Sequence, residues 1–190
     1  MRKILALFIV TFSIFIPSIS HALIEVDITR GNLNPLPISV SPLFSDKTSS
    51  ELLKKELKIG DIGSEIAKVV ENNLKQTGLF NPLDKKSFLQ KPDIAHLKPR
   101  FEDWNLIKSQ ALVTGKVSYE DQKLRVEFRL WDVLAGREML ALAFTTVPNN
   151  WRRVGHIITD KIYERLTGEK GYFDTRIIYV AEEGPKTKRI

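Results

Sequence analysis

The chain holds three histidines and no cysteine, and those two facts bound its side-chain chemistry. Without cysteine there is no disulfide framework, no thiolate metal site and no thiol nucleophile. His156 and Asp160 stand four residues apart in a stretch with helical periodicity. That spacing puts an imidazole and a carboxylate on one helix face, half of a general-base pair. It equally makes an ordinary surface pair, and this is the reading adopted. Glu102 and Asp103 beside Trp104 suggest a carboxylate site, but capping and solvation of a helix start account for them. Arg152 and Arg153 form a basic patch too small to imply nucleic acid. Trp104, Trp131 and Trp151 are expected as core or layer-edge aromatics rather than a ligand cage. No HExxH, G-x-S-x-G or P-loop spacing occurs. The expectation is a protein without catalytic residues, metal or cofactor.

Any such residues need elements to hold them. Ile24, Val26 and Ile28 alternate with Glu25, Asp27 and Thr29, the period of a half-buried strand. Gly31, Asn32, Asn34, Pro35 and Pro37 then break regular structure. Two readings follow: an edge strand of the main sheet, or a mobile strand that adds to the sheet edge of another protein. A short strand resumes at Ile38–Val40, and Pro42 pushes it toward an end or an edge. Residues 45–60 read as a loop or a short surface helix. Asp61 is placed as the N-cap of a helix whose stripe is Ile62, Ile66, Val69, Val70 and Leu74, with Gly78 just beyond it. A short extended piece covers residues 79–84, and Phe101, Trp104 and Ile107 have the spacing of a short helix.

The strongest β pattern follows. Val113, Gly115, Val117 and Tyr119 share a face, Leu124, Val126, Phe128 and Leu130 alternate with polar partners, and Leu140, Leu142 and Phe144 complete a three-stranded meander. Phe128 and Leu142 are both expected to point into the layer between sheet and helices. Asn149 or Asn150 is expected to cap a second helix with the stripe Trp151, Val154, Ile158, Ile162 and Leu166, ending at Gly168. The fold class is therefore α/β, a two-layer sandwich of a mixed, largely antiparallel sheet with two main helices. The 190 residues, 43% of them hydrophobic, suffice for one such core.

The amino terminus reads as an export signal. Arg2 and Lys3 precede an apolar run, Ile4–Ile16, that is shorter than the ~20 residues a membrane span needs. Pro17 breaks the run, and Ser20-His21-Ala22 fits cleavage between Ala22 and Leu23. Loss of Arg2 and Lys3 lowers the formal charge from +6 to +4, weak evidence for any partner. The chain's last stretch reads as a strand at 176–180, a turn at Gly184-Pro185 and the opening of another strand.

The strings RFEDWNLIKSQALVTGKV, RVEFRLWDVLAGREMLA and above all WRRVGHIITDKIYERLTGEKGYFDTRIIYVAEEGPKTKRI resemble the TolB family, the soluble periplasmic component of the Tol–Pal system. The resemblance runs from about Leu23 to Ile190. It implies a division into a signal peptide (1–22), a mobile segment (23–37), the family's N-terminal α/β domain, similar to anticodon-binding domains (38–170), and a linker with a truncated first propeller strand (171–190). It implies that the stretch contacting TolA is Leu23, Ile24, Glu25, Val26, Asp27, Ile28, Thr29, Arg30, Gly31, Asn32 and Leu33, which favours the mobile-strand reading. It implies that Pal docks on a propeller whose residues have no counterpart here, and a role in outer-membrane invagination at division and in envelope integrity. Residues from about Tyr172 onward are expected to be loosely attached. The alternative is a nucleic-acid-binding module of anticodon-binding type. An export signal and the lack of a Lys/Arg stripe with stacked aromatics argue against it.

Overall fold

The structure, a computed structural model, describes residue 24, residues 34–175 and the backbone of residues 181–182 and 188–189. The expected signal and its cleavage point, the strand beyond Ile24 and the strand at 176–180 lie outside the described residues.

The mixed α/β architecture is present. A sheet of six strands has the order β3-β1-β4-β5-β6, with β2 beside β4. The strands are β1 (Leu36–Val40), β2 (Phe44–Ser45), β3 (Phe80–Pro82), β4 (Ala111–Glu120), β5 (Lys123–Asp132) and β6 (Arg137–Thr146). β1 runs parallel to β3 and β4, and β2 parallel to β4, whereas β4, β5 and β6 form an antiparallel meander. Leu124, Val126, Phe128 and Leu130 are all buried on β5, while Lys123 and Arg125 are exposed. The period-2 pattern thus becomes a one-sided core face.

Three long helices accompany the sheet: α1 (Lys47–Leu57), α2 (Ile62–Gln76) and α5 (Trp151–Thr167). α2 starts where Asp61 accepts from the Gly63 and Ser64 amides. Its stripe and that of α5 are buried against the sheet's apolar face, as their spacing predicts. The two helices meet closely at Gly155, where a Cβ would lie 2.8 Å from Val69 Cγ1. Above that contact, Asn73 Nδ2 donates to Thr159 Oγ1 at 3.1 Å and lies 2.9 Å from His156 Nδ1.

Four expectations are corrected. Residues 47–57 form a full helix, α1, because Asp46 caps it through the Ser49 amide and the Ser49 hydroxyl. That amide bond is also the main reason the Asp46 carboxyl lies below the ordinary range. β1 starts at Leu36 rather than Ile38 and lies between β3 and β4, so of the two places expected for Pro42, an end or an edge, it takes the end. Pro42 lies beyond its end, and Pro37 precedes the first β4 pair, Ile38↔Ala111, so the missing N–H interrupts no bond to β4. α5 starts without a side-chain cap, since a 3-10 turn at Pro148–Asn150 leads into it and Asn150 Nδ2 donates to Thr146 Oγ1 instead. Leu142 is 36% exposed: it pairs with Phe128, but the helices do not cover that stretch of the outermost strand.

The opposite sheet face is partly covered too. Two short helices, α3 (Pro92–Ala95) and α4 (Phe101–Leu106), enclose a second cluster of Ala95, Trp104, Leu112 and Val133. Gln90 Oε1 pins it by accepting from Trp104 Nε1 at 2.8 Å and from the Arg100 amide at 3.0 Å. β7 (Ala181–Glu182) and β8 (Lys188–Arg189) pair antiparallel in a separate two-stranded sheet.

Candidate functional site

Of the residues that suggested catalysis, His156, Asp160 and Asp103 each have a structural partner, while Glu102 lies exposed at the start of α4. His156 bonds across the α2–α5 seam. Asp160 accepts the amides of Phe173 at 2.7 Å and Asp174 at 3.1 Å, so both its oxygens are engaged. Asp103 bonds to Arg100 one helical turn away, at 2.7 Å. His96 stacks on Phe44 with ring centroids 4.4 Å apart and lies 3.0 Å, through Nδ1, from the Pro92 carbonyl. Trp104 and Trp131 donate to Gln90 and Thr114, and the Arg152 guanidinium sits 4.7 Å above the Trp151 ring. Among the described residues no group of three metal-ligating side chains converges. No described helix is long and apolar enough to cross a membrane.

An open apolar groove lies between β6 and the last two turns of α5. Leu140 and Leu142 project from the strand, and Lys161, Glu164, Arg165 and Gly168 line the helix side of a groove of about 580 Å³. Two physical facts make it. β6 closes the strand order, so among the described residues its outer edge pairs with nothing. And the helices do not cover the middle of β6, leaving Leu142 exposed and Leu140 and Phe144 only partly buried. Arg165 braces the wall by donating from Nε to the Met139 carbonyl at 3.2 Å. Lys161 and Glu164 bond at 2.8 Å, which raises the ammonium and lowers the carboxyl. The β6 strand carries exposed Ala141 and Ala143 and no proline or lysine, and the guards it has against edge pairing, charged Arg137 and Glu138 and the register shift beside Trp131, are confined to its first residues.

Ile24 also lines this groove and packs on the main core. It is the one described member of the stretch Leu23–Leu33 expected to contact a partner. The other ten lie outside the described residues. The groove itself was not anticipated. Its apolar wall is legible as the Leu140/Leu142 alternation, but nothing local to those residues says that the sheet ends with them.

A family model for the TolB amino-terminal domain matches residues 24–139. The chain belongs to the TolB family. It is 79% identical over 177 residues to the Tol-Pal system protein TolB of Pelagibacter ubique (strain HTCC1062), covering 93% of this chain and 40% of that protein. The crystal structure of TolB from Acinetobacter baumannii superposes with a TM-score of 0.60 at 24% identity, over 77% of this chain and 32% of that one. The latter likeness concerns the fold. Both comparisons agree on extent: these residues span well under half of the TolB relatives they match.

Proposed function

We propose that this chain is a periplasmic, non-enzymatic interaction module of the Tol–Pal system that acts in outer-membrane invagination at cell division and in outer-membrane integrity. In this reading, residues 23–33 bind TolA by adding a strand to its sheet, where main-chain hydrogen bonds give affinity and alternate side chains give selectivity. Pal, the second partner the resemblance implies, docks in the family on a propeller that has no counterpart in these 190 residues. The observation that carries the reading is Ile24, seated in an open apolar groove rather than in a closed core. A segment held at such a place can leave it without opening the main hydrophobic layer. Membership of the TolB family supplies the partner class.

The test compares the intact chain with one lacking residues 23–33, and with an Ile24→Asp/Val26→Asp variant, in calorimetric titrations against the periplasmic domain of TolA. Circular dichroism should show the same fold for all three. Binding should vanish on deletion and weaken at least tenfold in the double variant. Equal affinity of all three for TolA would overturn the assignment, as would retention in the cytoplasm with tight binding to RNA.

A further inference from the structure

The chain leaving α5 does not run free. Gly168 ends the helix in the left-handed region at φ 76°, and its amide donates to the Glu164 carbonyl at 2.9 Å. The backbone then reverses and retraces the helix toward its start. Tyr172 and Phe173 reach Tyr163, with centroids 5.7 and 6.0 Å from its ring. Phe173 also packs on the main core. Next come the two amides held by Asp160. Finally Arg153, two turns earlier on α5, grips the Asp174 carboxylate with Nε and Nη2, both at 3.0 Å. Arg153 and Asp160 lie seven residues apart, hence on one helix face.

Gly171 makes the approach possible. A Cβ there would stand 2.4 Å from Asp160 Cα and 2.4 Å from its Oδ1. These are backbone and carboxylate atoms already fixed by the helix and by the amides they hold, so no flexible side-chain end can yield.

We propose that Asp160 is a latch, and that residues 168–174 are a rigid strap rather than a linker, so that whatever follows Thr175 leaves the domain in one direction. A carboxylate that receives two successive backbone amides fixes two peptide planes at once, which a side-chain contact does not. The aromatic trio blocks rotation about the strap, and the Arg153–Asp174 fork fixes its far end. The inference concerns orientation, and it stands whether or not the segment ahead of β1 binds TolA.

The whole 190-residue chain tests it. With no native cysteine, Lys75→Cys at an exposed position of α2 and Thr175→Cys can carry a spin-label pair. The pair should give one narrow distance distribution. Asp160→Asn should broaden it severalfold, because the amide can accept one N–H but opposes the other with its own donors. Gly171→Ala should do the same by steric exclusion. Exchange of the Phe173 and Asp174 amides should speed up at least tenfold in both variants, with the β5 amides unchanged. A broad distribution in the unsubstituted chain would overturn the strap. A narrow one in both variants, or unchanged exchange at residues 173 and 174, would overturn the latch. If Asp160→Asn exposes the β5 amides as well, the carboxylate supports the core rather than the strap, and that outcome also refutes the proposal.

Discussion

Phe128 is 1% exposed and stacks on Phe144 with ring centroids 6.2 Å apart. Its replacement by alanine is expected to cost about 3–5 kcal/mol, the loss of a buried ring plus the cavity it leaves, read from urea unfolding. Leu142→Ala, at its cross-strand partner, should cost far less, because that side chain is already part-solvated. The two residues share a face and a parity, so alternation alone predicts equal burial. The difference lies in how far α5 reaches across the sheet, a distance that no single strand encodes. Glu71 makes a different kind of test. Burial raises its carboxyl above the ordinary value, although Lys85 at 3.1 Å pulls the other way, and its Oε1 has no partner among the described residues. A raised folded value means that the protonated form is the better fit. Stability from this group is therefore full below about pH 4.3, the usual glutamate value, and is lost as pH rises past it. Glu71→Gln should leave stability near pH 4 unchanged and raise it at pH 7, flattening that part of the profile. A variant weaker at pH 7 would show that the Lys85 pair outweighs desolvation.

Helix ends give the sharpest comparison between elements. Asp61→Ala should cost about 1 kcal/mol, because its oxygen meets two orphan amides at the start of α2. Asn150→Ala, at the start of α5, should cost under ~0.5 kcal/mol, since its side chain caps nothing. Thermal unfolding of both variants decides this. Both helices were legible from their stripes, and so was the cap of α2. The start of α5 was not, because Pro148 in a 3-10 turn does the work an N-cap would have done. α1 was obscured because its apolar face is narrow: Leu53 is buried and Leu57 packs on the core one turn later, whereas Leu52 is 44% exposed. What closes α1 is a capping aspartate and a left-handed Lys58. The strap is an element-scale surprise as well. The resemblance implies a linker at residues 171–174, yet side chains of α5 hold them. A chain ending at Lys170 should be less stable than one ending at Thr175 by about 1–2 kcal/mol, the burial of much of one phenylalanine.

At the scale of the molecule, the layers and the meander were readable because each depends on neighbours a few residues away. The strand order was not, because β1 finds both of its partners far along the chain: Leu36 pairs with Phe80, and Ile38 with Ala111. That topology has a consequence in time. An interior strand of the sheet, β1, is made early and completed late. The β4–β5–β6 meander closes short loops and can form on its own schedule, whereas β1 must wait for a parallel partner whose closure entropy is larger. The rate-limiting barrier should therefore contain the meander and little of β1. Val126→Ala should slow folding, with a φ-value above ~0.5, whereas Ile38→Val should act mainly on unfolding, with a φ-value below ~0.3. Stopped-flow chevrons measure both. On a ribosome adding roughly 5–20 residues per second, β1 and the buried face of α2 would stay unsatisfied for several seconds. An exported chain kept unfolded until it has crossed a membrane would meet all its strands together and never pass through that interval.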